Sequence, residues 1–120
     1  MHELGVTREI VRAVEEELDR LPEGTHLMRV TLLLGRLTGF VPDSIEFCYG
    51  ALTEGGRLAG SELEIERRDG RLRCEGCGEE FTLDEPTFFC PHCGGRDLTV
   101  LEGREFLITG LEVEEPEEGS

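Results

Sequence analysis

Two short units, CEGC at Cys74–Cys77 and CPHC at Cys90–Cys93, constrain this chain more than any other feature. Two CxxC pairs at this separation can wrap four thiolates around one tetrahedral ion. A glycine follows each unit, Gly78 and Gly94. It permits the positive φ of a tight knuckle and lets nearby N–H groups point at the sulfurs. Binding the ion closes a loop that could not otherwise hold its shape, so metal binding and local folding become one event. The competing readings are a pair of disulfides, which a reducing compartment disfavours, and a redox dithiol, which needs only one pair.

A tetrahedral S₄ site suits Zn(II) and also a single iron. The knuckle pattern is shared with rubredoxins, iron electron carriers richer in aromatics around the metal. The insertion here has only Phe81, Phe88 and Phe89, and it sits inside a larger body, so zinc is the favoured ion. His92 lies between two ligand candidates and reads as an exposed knuckle residue, because four cysteines already complete the shell. Cys48 reads as a small core residue and His26 as a strand-edge residue.

The rest of the 120 residues forms a body around this insertion. Ile10, Val11, Val14, Leu18 and Leu21 recur at helical spacing, and Glu15, Glu16, Glu17 and Asp19 fill the opposite face. That predicts an amphipathic helix from about Leu4 to Leu21, ended by Pro22 and Gly24. HLMRVTLLLG reads as a strand, with Met28, Val30, Leu32 and Leu34 on one face. VPDSIEFCYGALTEGG reads as a second helix, with Asp43 or Ser44 as its cap, Pro42 near its start, and Ile45, Cys48 and Leu52 on one face. SELEIERR is a strand with Leu63 and Ile65 inward, and REFLITGLEVEE a longer one through Phe106, Ile108 and then Leu111, Val113.

The fold class expected is therefore α+β: a small three-stranded sheet with two helices, plus an inserted zinc-ribbon-like finger. The domain reading is a discontinuous body over residues 1–70 and 102–114, a finger over 71–101, and an acidic disordered tail over 115–120.

Charge narrows the function. The net charge is −15, from 27 acidic and 12 basic residues, and no residue is lysine. Such a surface repels nucleic acid and anionic membranes and favours cations or basic proteins. No stretch approaches the roughly 20 apolar residues of a membrane span. With Glu3 and Glu9 close to the start, no signal peptide is read, and the cytoplasm is the expected location.

The chain opens MHELG. The α-amine of Met1, the His2 amide nitrogen and the His2 imidazole can chelate one ion in fused rings, and Glu3 can add its carboxylate or its amide. Nitrogen-rich tetragonal coordination is what Ni(II) and Cu(II) prefer. Methionine before a bulky histidine is ordinarily retained, so His2 is expected to stay second. A frayed terminus is the plain alternative, but helical periodicity starts at once and anchors the end.

Taken together, MHELGVTREIV, VTLLLGRLTGFVPDSIEF, the CEGCG…CPHCGG insertion and LEGREFLITGLEVEE resemble the HypA/HybF family of hydrogenase nickel-incorporation proteins, over nearly the whole chain. The resemblance implies a transient Ni(II) site on His2 and Glu3 with the Met1 amine. It implies structural Zn(II) in Cys74, Cys77, Cys90 and Cys93, and a weaker carry-over of a further carboxylate to Asp43, whose plain role is helix capping. The implied partners are an accessory nickel-insertion GTPase, the large subunit of [NiFe] hydrogenase and, in some organisms, the urease maturation proteins.

Two rival classes stand beside this nickel metallochaperone: a rubredoxin-like iron electron-transfer module and a zinc-ribbon protein-interaction adaptor. No nucleophile–base pair or phosphate-cradling loop stands out, so no enzyme is expected. The sequence leaves open monomer or homodimer, and whether the zinc and nickel sites are coupled.

Overall fold

α1 (His2–Leu18) forms where a polar and an apolar face alternate at helical spacing. Thr7, Ile10, Val14 and Leu18 are buried along one stripe. Burying an aliphatic side chain of this kind contributes about 1.5–3 kcal/mol. The helix stops earlier than its periodicity predicts, and Leu21, expected on the buried stripe, is exposed. Turn bonds from the Asp19, Arg20 and Leu21 amides to the carbonyls of Glu15, Glu17 and Leu18 close its end before Pro22.

The computed structural model describes residues 2–86 and 89–116, with His2 by its backbone alone. Phe88, and residues 117–120 of the expected tail, lie outside the described residues. After α1 come β1 (His26–Gly35), a 3₁₀ turn (Arg36–Thr38), α2 (Pro42–Thr53), β2 (Glu62–Arg68), β3 (Gly70–Cys74), β4 (Glu80–Leu83), β5 (Leu98–Glu102) and β6 (Phe106–Glu114). Among the described residues these strands form two three-stranded sheets, ordered β2-β1-β6 and β4-β3-β5. This is the expected α+β class, with two helices, a small sheet and a separate cysteine-bearing sheet.

The chain divides into two compact units. The first comprises Met1–Leu32, Phe40–Ile65 and Ile108–Ser120, and the second Leu33–Gly39 and Glu66–Leu107. In the first unit, Ile10, Val14, Val30, Leu32, Ile45 and Tyr49 are all buried. Strand alternation fails at the start of β1, where Leu27 is buried and Met28 exposed. In β2 the alternation holds: Leu63 and Ile65 are half-buried and Glu62, Glu64 and Glu66 exposed. β6 changes phase where expected, with Phe106 and Ile108, then Leu111 and Val113, half-buried. On the solvent side Arg29 faces Glu62, Glu64 and Glu112 at 3.4, 3.5 and 3.8 Å. Exposed pairs of this kind are worth little individually, about 0–1 kcal/mol.

The second unit is built on β3. It pairs antiparallel with β4, from Gly70↔Leu83 to Arg73↔Glu80, and antiparallel with β5, with Cys74 opposite Leu98. β4 was not foreseen as a strand. At four residues, with Thr82 exposed and Phe81 half-buried, its pattern is too short to separate from a loop. Leu72 is buried between its neighbours, and a Cβ on Gly70 would meet the Leu37 side chain at 2.5 Å.

Candidate functional site

The second unit carries the cysteine cluster, and its two knuckles repeat one geometry. The Cys74 amide donates to the Glu79 carbonyl (2.9 Å) and the Gly78 amide to the Cys74 carbonyl (2.7 Å). The Cys90 amide donates to the Gly95 carbonyl (2.7 Å) and the Gly94 amide to the Cys90 carbonyl (2.8 Å). These two bonds have the same sequence offsets in both knuckles. Gly78 and Gly94 sit at φ of 80° and 75°, the left-handed region where a side chain is strained. The glycine after each CxxC unit therefore closes its turn, as its position predicts.

The four sulfurs of Cys74, Cys77, Cys90 and Cys93 lie within 4.8 Å of one another. Two of the separations are 3.6 Å (Cys74–Cys93) and 3.8 Å (Cys77–Cys90). A tetrahedral zinc bonded to sulfur at about 2.3 Å spaces its thiolates about 3.8 Å apart, so the donor set fits that ion. Amides of His92 and Gly95 point at the Cys90 and Cys93 sulfurs, each at 3.4 Å. Space is tight on this side: a Cβ on Gly95 would lie 3.2 Å from the Cys93 sulfur and 3.7 Å from that of Cys74.

The first cysteine of each pair, Cys74 and Cys90, is buried, and the second, Cys77 and Cys93, is exposed. His92 is exposed and stands outside the four-sulfur group.

Without a metal the four thiols share their charge unevenly. Burial opposes ionisation of Cys90. The amides of Cys93 and His92 and the thiols of Cys77 and Cys74 outweigh it and bring Cys90 down to about 7. At Cys77 the Glu79 amide favours the thiolate, but burial and the thiols of Cys74, Cys93 and Cys90 push the group up to about 12. One thiolate thus suppresses the next, because like charges this close cannot all form without a cation. A divalent cation removes that conflict. Beside the cluster, the Thr99 hydroxyl and then Arg73 hold the Glu75 carboxylate below its usual range, tying the first knuckle to β5.

The second candidate site begins in the first turn of α1. Met1 and the His2 side chain, which carry the expected nickel donors, lie outside the described residues; the described backbone is helical from His2. Glu3 is described. Its carboxylate accepts the Val41 amide at 3.1 Å, and its carbonyl accepts the hydroxyl of the buried Thr7. Val41 is the residue that caps α2, and no side chain of its own segment serves as the cap. Neither Asp43 nor Ser44 takes the capping role expected of them. Pro42 is the first helical residue and Asp43 the second, two positions past the cap. The carboxylate reaches over from α1 instead, where a negative charge complements the helix N-terminus.

Glu3 and Asp43 line one cavity with Leu4, Phe47, Cys48 and Leu52. The buried stripe of α2 is Ile45, Tyr49 and Thr53, not Ile45, Cys48 and Leu52. Cys48 is correspondingly half-buried at the cavity wall rather than in the core. Tyr49 wins the core position because its hydroxyl finds a partner, Ser61 Oγ at 2.6 Å, and Thr53 because its hydroxyl bonds the Tyr49 carbonyl at 2.8 Å. His26 is exposed at the start of β1, as expected.

Comparison with known proteins follows the same lines. A family profile described as "Hydrogenase/urease nickel incorporation, metallochaperone, hypA" matches residues 1–113. The chain is 39% identical over 115 residues to the hydrogenase maturation factor HypA of Rippkaea orientalis, covering 96% of this chain and 97% of that one. It is 40% identical over 114 residues to the HypA of Geobacter metallireducens, covering 95% and 100%. A solution structure of the Ni metallochaperone HypA from Helicobacter pylori is similar in fold, with TM-score 0.63 at 18% identity over 95% of this chain and 98% of that one.

Proposed function

The chain belongs to the HypA family of nickel-incorporation metallochaperones, and from that premise we propose that it carries Ni(II) at its N-terminus and surrenders it during maturation of [NiFe] hydrogenase. His2 supplies imidazole and amide nitrogens, the Met1 amine a third nitrogen, and Glu3 its amide or carboxylate. Asp43 is the weaker additional donor. The observation that supports this reading is the placement of Glu3: one residue from His2, bonded to the α2 cap, and lining a cavity with Asp43. That bond ties the residue after His2 to the start of α2.

Softness separates the two metals. Nitrogen and oxygen donors suit nickel as cargo, whereas Cys74, Cys77, Cys90 and Cys93 suit a retained Zn(II) whose work is to hold the knuckles closed. The rubredoxin-like and adaptor readings account for the cysteines alone, whereas the family match spans the body as well. In the proposed division of labour, residues 1–70 and 102–114 form the nickel-binding body, 71–101 the zinc finger, and 115–120 a tail without an assigned role. The protein is not an enzyme and works in the cytoplasm. It meets the hydrogenase maturation machinery through an accessory GTPase and the hydrogenase large subunit, with urease maturation proteins as further recipients.

The test is nickel titration by calorimetry on zinc-loaded protein with an untagged terminus, beside His2→Ala. A loss of affinity of at least about tenfold, ~1.4 kcal/mol, supports the terminal site. Equal binding overturns it.

A further inference from the structure

We propose that the groove between the first turn of α1 and the outer stripe of α2 docks an apolar, basic-flanked helix of the protein that exchanges nickel with this one, a proposal that rests on the N-terminal cargo reading above. The cavity is about 560 Å³ and its walls are predominantly aliphatic and aromatic. Phe47 stands at its edge with 78% of its surface exposed, flanked by Leu4 at 37% and, near the same helix end, Val41 at 50%. Nothing in the fold of α2 calls for an aromatic here. The helix buries Ile45, Tyr49 and Thr53 instead, and Phe47 is two residues out of phase with that stripe. An exposed aromatic beside an apolar hollow is the pattern of a binding anchor.

Two features select the occupant. The groove runs along successive turns of α2, through Asp43, Phe47 and Ala51 and through Ser44, Cys48 and Leu52, with Glu3 and Leu4 of α1 as the opposite wall. A gap between two packed helices accepts the apolar stripe of a third. The polar rim is acidic, Glu3 and Asp43, with exposed Glu46 next to Phe47, on a chain of net charge −15. Arginine or lysine flanking the incoming stripe answers that charge. A second copy fits poorly, since a two-fold contact would set these carboxylates against their own duplicates. Docking here would bring the partner to the residue next to His2.

The test uses the zinc-loaded full chain and a synthetic amphipathic peptide with leucines at i, i+3, i+4 and i+7 between arginines. The control peptide carries glutamate for arginine. Fluorescence anisotropy reads affinity. Alkylation of Cys48, the one cysteine outside the metal cluster, reads occupancy of the groove. Saturable binding of the basic peptide is expected, with Cys48 protected. Phe47→Ser should weaken it by at least about tenfold, Phe47→Leu should largely preserve it, and the acidic peptide should bind at least about tenfold more weakly.

Absence of saturable binding, equal binding by Phe47→Ser, or equal binding of the two peptides overturns the proposal. So does concentration-dependent self-association abolished by Phe47→Ser, which would give the groove to a second copy. Nickel titration of the same samples keeps the two readings apart. A His2→Ala protein that binds nickel normally removes the cargo reading and leaves the peptide result standing.

Discussion

The cysteine knuckles and the N-terminal turn are both candidate metal sites, and they are built in opposite ways. The knuckles are two copies of one backbone device: the turn bonds of Cys74 and Gly78 recur at Cys90 and Gly94, and the sulfurs stand at the spacing of a tetrahedral ion. Every donor comes from a short stretch whose geometry is locally fixed. The N-terminal turn has nothing of the sort. The proposed chelating atoms belong to the first residues of a helix, and among the described residues the bond from the Val41 amide to Glu3 ties that turn to a segment distant in sequence. The proposed roles follow that difference: a site assembled from local turns suits a retained ion, and donors at a chain end suit one that is handed on.

Breaking the knuckles should have the largest effect. Cys90→Ser removes a buried ligand, and with it a share of the roughly 10–16 kcal/mol that structural zinc contributes to small metal-dependent folds. The expected result is loss of bound zinc and of amide-exchange protection in β3, β4 and β5, with α1 and α2 still protected. Zinc analysis and hydrogen exchange on one sample check it. Loss of protection throughout would deny the contrast.

Gly95→Ala is gentler. Its methyl would press on the Cys93 sulfur at 3.2 Å, so zinc should bind more weakly, by about 1–3 kcal/mol on the scale of overpacking, while nickel affinity stays as in the wild type. Chelator competition measures the first and calorimetry the second.

Acid distinguishes the sites in another way. The Cys90 thiol of the metal-free cluster is held below its ordinary range, at about 7. Its thiolate therefore stabilises the metal-free fold above the usual thiol range, and that contribution is lost as pH falls through about 7. Cys77 is shifted the other way. Its contribution is present below the usual thiol range and is lost as pH rises toward about 12. Zinc must displace the protons these thiols hold, so chelator competition should show zinc affinity falling as pH is lowered from 8 to 6. A flat profile would contradict the charge distribution within the cluster.

The smallest expected effect concerns the bond between Glu3 and the Val41 amide. Glu3→Ala removes the acceptor of the Val41 amide and should cost about 0.5–1.5 kcal/mol, the net worth of one hydrogen bond. Thermal unfolding of the zinc-loaded protein reads it. Glu3→Gln, which keeps an acceptor oxygen, should recover part of the loss.

The contrast also explains which parts of the molecule were legible in the sequence. The knuckles were, because Cys74–Gly78 and Cys90–Gly94 carry their instructions within five residues each. The phase change in β6 at Gly110–Leu111 was visible in the hydrophobic pattern for the same reason. The cap of α2 was not, since its acceptor comes from Glu3, 38 residues away in sequence. The buried face of α2 was misread because Cys48 and Leu52 are more apolar than Thr53. The hydroxyls of Tyr49 and Thr53 find partners that only the folded chain supplies. Phe47 could have been recognised as exposed, since a residue two positions from buried Ile45 cannot share its helical face.

The most direct measurement is X-ray absorption at the nickel and zinc edges of one sample loaded with both ions. The account predicts nickel surrounded by nitrogen and oxygen alone, and zinc surrounded by four sulfurs at about 2.3 Å. Sulfur at the nickel edge would place the cargo in the cysteine cluster and contradict the separation of the two sites.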